Sequence, residues 1–142
     1  MAMKLKVSRG DMWAATIEDN PGGLAAVLEP MAQAGANFEF AFARRTPEQP
    51  GEGVLFVLPI KGAKLIRAAG AVGLRKAESI HTIKVEGPNQ AGAVAAIARA
   101  LGSAGISFRG ISTTAVGRNF AGYIALDSAD DAARAASALK KL

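Results

Sequence analysis

The sequence predicts an α+β protein made of two βαββαβ units in tandem, each an antiparallel sheet with its helices on one face. Three observations predict it. The stretch EDNPGGLAAVLEPMAQAGANF, Glu18–Phe38, returns without a gap as PNQAGAVAAIARALGSAGISF, Pro88–Phe108. Each copy sits in the same succession of a β-type run, a turn, an amphipathic helix, a glycine and a second β-type run. Half of the 142 residues are hydrophobic, enough for a packed core. The longest apolar run is nevertheless only Val54–Ile60, whereas a membrane span needs about 20 such residues.

The repeat is more than shared alanine content. Gly22 meets Gly92, Ala25 meets Ala95, Ala34–Gly35 meets Ala104–Gly105, and Phe38 meets Phe108, while Val27/Ile97 and Met31/Leu101 are conservative exchanges. Such self-similarity at a fixed spacing marks an internal duplication.

The elements follow in order. Lys4-Leu5-Lys6-Val7 alternates and precedes the first unit. Asp11–Ile17 and Ile80–Glu86 open the two units as strands. Leu24, Val27, Leu28 and Met31 form an i, i+3, i+4, i+7 stripe, repeated in outline by Val94, Ile97 and Leu101, which predicts a helix in each unit. Gly35 and Gly105 stand where a helix stops with a left-handed residue. Pro30 falls inside the first helix and is expected to kink it. Phe38, Phe40 and Phe42 alternate with Asn37, Glu39 and Ala41, as a strand with one buried face does. In the second copy Phe108 and Ile111 are out of phase, so Gly110 is expected to mark a bulge. Return strands are expected at Val54–Leu58 and Tyr123–Leu126, and second helices at Gly62–Ala71 and Ala129–Lys140. The last has Asp127, Asp130 and Asp131 at its start and Lys140–Lys141 at its end, in keeping with the helix dipole. Val72–Ala77 closes the first unit. The resulting order is ferredoxin-like. The second unit lacks a final strand before Leu142, and Lys4–Val7 is expected to fill that edge beside Ile80–Glu86. The division is therefore residues 1–10 as an N-terminal strand, 11–78 as the first unit and 79–142 as the second.

The turn Asp19-Asn20-Pro21-Gly22-Gly23 is the main candidate for chemistry. Asp or Asn before a helix caps its free amides, and proline suits the first turn. A helix start with glycine also presents unpaired N–H groups to a carboxylate or phosphate. On this feature alone a plain helix cap is the better reading.

These residues carry a resemblance. Asp-x-Pro-Gly after a strand, a Leu-containing helix, then Gly-x-Asn opening the next strand resembles the ACT domain, a small regulatory module of amino-acid metabolism. With the duplication, the chain resembles a stand-alone tandem-ACT protein. The second copy departs from the pattern, with Ala91 for the proline and Ser107 for the later asparagine. The resemblance implies paired units side by side in one eight-stranded sheet, a homodimer, and a small amino acid or related metabolite bound at the turns. It implies as ligand-binding residues Asp19, Asn20, Gly22, Gly23 and Asn37 in the first unit, and Asn89, Gly92 and Ala93 in the second, with the second turn weaker for want of its proline. It further implies regulation in trans of a partner enzyme, without catalysis or cofactor.

Other classes fare worse. Lys plus Arg is 17 and Asp plus Glu 12, a net charge of +5, but no block of five like charges appears, so nucleic acid is not the expected partner. There is no cysteine and one histidine, His81, so the usual transition-metal ligand sets are missing and disulfides are excluded. Residues 1–11 contain no apolar signal segment, and with the lack of cysteine this points to the cytoplasm. Arg44–Arg45 is read as a solvated strand end ahead of an anion site, and the phenylalanine stripe as core ahead of an RNA-stacking surface. Trp13 and Tyr123 are assigned to core or interface. No catalytic set suggests itself. The alternatives are a structural subunit that docks a protein without a ligand and a small enzyme on the same scaffold.

Overall fold

A computed structural model describes residues 3–142. The chain divides into two compact units, Asp11–Ala77 and the pair of segments Met1–Gly10 with Glu78–Leu142. They are called the N-unit and the C-unit below.

In the N-unit, β2 (Trp13–Glu18), α1 (Gly23–Gln33), β3 (Phe40–Arg45), β4 (Glu52–Leu58), α2 (Ala63–Ala71) and β5 (Arg75–Lys76) follow in sequence. Their sheet has the order β3-β4-β2-β5. The core joins Val27 and Met31 of α1 and Ala69 of α2 to Ala15, Leu55 and Val57 of the sheet, with Leu74 beside them. Leu24, counted in the apolar stripe from its spacing, is 37% exposed at the helix start.

The C-unit contains β6 (His81–Pro88), α3 (Ala93–Ser103), β7 (Gly110–Val116), β8 (Asn119–Leu126) and α4 (Ala129–Lys140), completed by β1 (Lys6–Gly10). Its order is β1-β6-β8-β7, the N-unit order with β1 in the place of β5. β1 is antiparallel to β6, from Lys6 opposite Glu86 to Gly10 opposite Thr82. Alternation along the segment sends Met3, Leu5 and Val7 into the core, while Lys4, Lys6 and Ser8 are exposed. Ile97 and Leu101 of α3 meet Ala132, Ala135 and Leu139 of α4 over Ile83, Val85, Ile124 and Leu126. α4 begins at Ser128, whose hydroxyl accepts from the Asp131 amide at 3.0 Å, a capping bond the acidic residues nearby had obscured in the sequence.

Strand pairing gives a four-stranded sheet in each unit. Several details differ from the expectations. The N-terminal strand is Lys6–Gly10 instead of Lys4–Val7, and β5 is only two residues long. β3 is not a half-buried strand: it lies at a sheet edge and Phe42 is 45% exposed. The register of β7 with β8 is unbroken from Gly110 to Val116, so no bulge exists there. Phe108 is out of phase because it precedes the strand. Pro30 lies inside α1, which is assigned as one helix from Gly23 to Gln33. Among the described residues no helix is long and apolar enough to cross a membrane.

Thr82 in β6 is 1% exposed, and its Oγ1 has no hydrogen-bond partner among the described residues. Burying an unpaired hydroxyl is unfavourable, so Thr82→Val is expected to raise stability by roughly 1 kcal/mol. A fall in the denaturant midpoint would show that the hydroxyl is satisfied after all.

Candidate functional site

β2 and β3 run parallel, both antiparallel to β4 between them. The chain therefore leaves β2 at Glu18 on the same side of the sheet where β3 ends at Arg45. Ile17 and Arg45 both stand opposite Gly53, and the turn into α1 folds over this corner. Ile17–Asn20, Leu24, Ala43–Arg45 and Gly53 enclose an open cleft of about 210 Å³.

The side chains of the turn do not cap the helix. The position before α1 is Gly22, left-handed at φ 87°, without a side-chain capping bond. Asn20 instead donates its amide to Glu18 Oε2 at 3.0 Å. Asp19 accepts from Arg45, Nε to Oδ2 at 2.5 Å and Nη2 to Oδ1 at 3.4 Å. That hydrogen bond, and then the carboxylate's charge, raise the Arg45 pKa above its usual value, so the guanidinium stays charged. The arginine side chain is 73% exposed, and a solvent-screened pair of this kind adds little to stability.

Backbone geometry supplies the donors. The Gly23 amide closes the turn onto Asn20 O at 3.1 Å, and the helical ladder starts with Ala26 N to Gly22 O at 3.0 Å. Leu24 and Ala25 are left as the first-turn amides without a helical acceptor. A Cβ on Gly22 would meet nothing within 4 Å, so the space above it is open. Gly23 is different: a Cβ there would lie 2.0 Å from the Glu18 carbonyl oxygen. Packing alone demands that glycine.

The cleft sorts its charges. Glu18 and Asp19 stand on the β2 side, Arg44 and Arg45 on the β3 side, and Ile17, Leu24 and Ala43 offer apolar surface between them. Asn37 is not part of it. It precedes β3 at the opposite end, eight residues from Arg45, a distance of roughly 25 Å along an extended chain.

The second turn has the same backbone with different chemistry. Gly92 is left-handed at φ 85°. The Ala93 amide bonds Gln90 O at 3.2 Å and Ala96 N bonds Gly92 O at 2.9 Å. The missing proline leaves this geometry unchanged. Asn89 donates its side-chain amide to Gly117 O at 3.0 Å, which ties it to the β7–β8 hairpin. In the repeat register Pro88, Asn89, Thr114 and Ala115 stand where the N-unit has Glu18, Asp19, Arg44 and Arg45, so none of the four charges is reproduced. Among the described residues no three carboxylate or imidazole groups converge as a metal site requires.

Sequence reading did not place Leu24 at the turn, and it took Arg44–Arg45 as a solvated strand end; both line the cleft, and Arg45 is exposed and paired with Asp19. The repeat comparison could have singled out those arginines, because they are charged in one copy and neutral in the other.

The ACT-domain family model matches residues 81–142. No curated protein matches the sequence. A protein from Bacteroides thetaiotaomicron has a similar structure, with a TM-score of 0.76 at 18% identity, covering 96% of this chain and 99% of that one. The ligand-free regulatory subunit of aspartate kinase from Thermus thermophilus gives 0.68 at 16% identity, covering 99% and 96%. The corresponding subunit from Thermus flavus gives 0.63 at 16%, covering 97% and 95%. At these identities the likeness is one of fold.

Proposed function

We propose that this chain, whose residues 81–142 match the ACT-domain family model and whose residues 11–77 share that unit's strand order, is a tandem of two ACT-like units and a non-catalytic regulatory protein that binds a small amino acid at the Asp19–Gly23 turn. The observation that carries the reading is the sorted charge of the cleft. A zwitterion needs an anionic and a cationic partner a few ångströms apart, and Asp19 and Arg45 are such partners. The ligand's carboxylate takes the Leu24 and Ala25 amides and the arginine side. Its ammonium shares Asp19 with Arg45, and its side chain lies along Leu24. The volume admits a small amino acid but the walls are open, so a second copy of the chain completes the site. Antiparallel pairing of two β3 edges about a twofold axis would bring Asn37 of a second copy toward the Arg45 end, which accounts for a residue otherwise far from the turn. Likeness of fold to regulatory subunits of aspartate kinase supports control of a partner enzyme in trans.

Calorimetric titration with the free amino acids tests this. The parent should give a saturable heat with a narrow set of them. Asp19→Ala should weaken it by about 1–3 kcal/mol. Gly22→Asn should nearly abolish it while the fold persists, because asparagine tolerates the left-handed region and the space above Gly22 is open to its side chain. If both variants bind as the parent does, the turn is only a helix start.

A further inference from the structure

The larger cleft lies elsewhere. It measures about 620 Å³ and sits on the face of the C-unit sheet that the helices leave uncovered. Small-molecule sites commonly span about 300–1,000 Å³. We propose that this cleft is a second binding site, separate from the Asp19 turn, for a small organic dianion held between Lys4 and Lys6.

The register builds it. Lys6 stands opposite Glu86, Glu86 opposite Ala121, and Ala121 opposite Thr114, so one row crosses all four strands. The next row runs Pro88, Asn119, Val116. The alternation that sends Met3, Leu5 and Val7 into the core turns Lys4 and Lys6 to the other face. Two residues of extended chain set the two stems roughly 7 Å apart.

The charges on this face are unbalanced. Among the described residues neither Lys4 nor Lys6 has an ion-pair partner. Glu86 has one in Lys84, at 3.8 Å, on the same face. Three ammonium groups therefore stand around one carboxylate, and two of them are free to take negative groups from a ligand. Thr114 and Asn119 line the same cleft with polar side chains, and Val116, 76% exposed, offers apolar surface to a short spacer. A dicarboxylate meets all of these at once.

The N-unit cannot form the equivalent. Its fourth strand, β5, pairs only with Trp13 and Ala14, so the rows at Thr16 and Glu18 end at β2 with no strand on that edge among the described residues. The cleft exists because β1, and not a short closing strand, supplies this edge.

The test follows amide resonances of the intact protein at low salt during titration with glutarate, butyrate and inorganic phosphate. Glutarate should give saturable shifts at residues 4–8, 86–87 and 114–121. Lys4→Gln with Lys6→Gln should weaken it about tenfold or more, while Lys4→Arg with Lys6→Arg retains most of the affinity. Butyrate, with one carboxylate, should bind about tenfold more weakly than glutarate. The proposal is overturned if the glutamine pair binds as the parent does. It is equally overturned if butyrate or phosphate matches glutarate, or if the shifts fall on residues 19–24. That last result would assign the ligand to the turn, so the two sites fail separately.

Discussion

Deleting the chain through Gly10 is expected to unfold the C-unit and leave residues 11–77 folded. Met3 is buried at 3% exposure, and Leu5 and Val7 pack on the same core. Burial of one such side chain is worth about 1.5–3 kcal/mol, so the three together contribute on the order of 5 kcal/mol. That rivals the whole stability of a small domain, about 5–15 kcal/mol. The deletion also strips β6 of the strand that satisfies one of its edges. Residue-resolved hydrogen exchange reads the outcome. Amides of β6 and β8 should lose protection while those of β4 keep theirs. Retained protection in β6 would mean that β1 is dispensable.

Gly23→Ala should be the most damaging single substitution at the turn, costing about 3 kcal/mol or more. The added Cβ would sit 2.0 Å from the Glu18 carbonyl oxygen and 3.0 Å from its carbon, both backbone atoms at the end of a paired strand. No rotamer relieves that clash, so the helix start must lift off β2. Gly22→Ala meets no atom within 4 Å and suffers only its left-handed φ, about 1–2 kcal/mol. The order of the two denaturant midpoints is the check. If Gly22→Ala proves the more harmful, the close approach of α1 to β2 is not what it is taken to be. Ala93 at the matching place in the C-unit already carries a methyl group, so the demand is particular to the first turn.

What could be read from the sequence was what short-range periodicity and the repeat encode. The Val27–Met31 and Ile97–Leu101 stripes, the glycines flanking the helices and the hairpins all follow from spacing within one element. The strand that completes the C-unit was visible in the alternation of Lys4–Val7 ahead of the first unit. Long-range placement was not visible. Arg45 reaches Asp19 across 26 residues, and nothing local marks arginine at a strand end as a partner for a turn. Phe42 looked buried because alternation shows that a strand has two faces, but not whether the strand lies at the centre or the edge of its sheet. Proline at position 21 looked decisive for the turn because it presets φ, yet Gly92 holds the same left-handed geometry behind Ala91. Gly23 entered as a ligand residue through the resemblance, and its spacing gave no sign of the packing demand that the Glu18 carbonyl makes there.

The pairing of β1 with β6 also bears on how the chain is made. Synthesis is vectorial, at about 5–20 residues per second, and domains fold as they emerge from the ribosome. Lys6–Gly10 emerge well ahead of β6 and β8, with the whole N-unit between them. For some 6–24 seconds the N-terminal strand has an apolar side and no sheet to join. Residues 11–77 are complete well before that wait ends and can fold ahead of the strand's own partners. The alternating lysines at positions 4 and 6 keep the waiting segment charged, which discourages pairing with strands of neighbouring nascent chains.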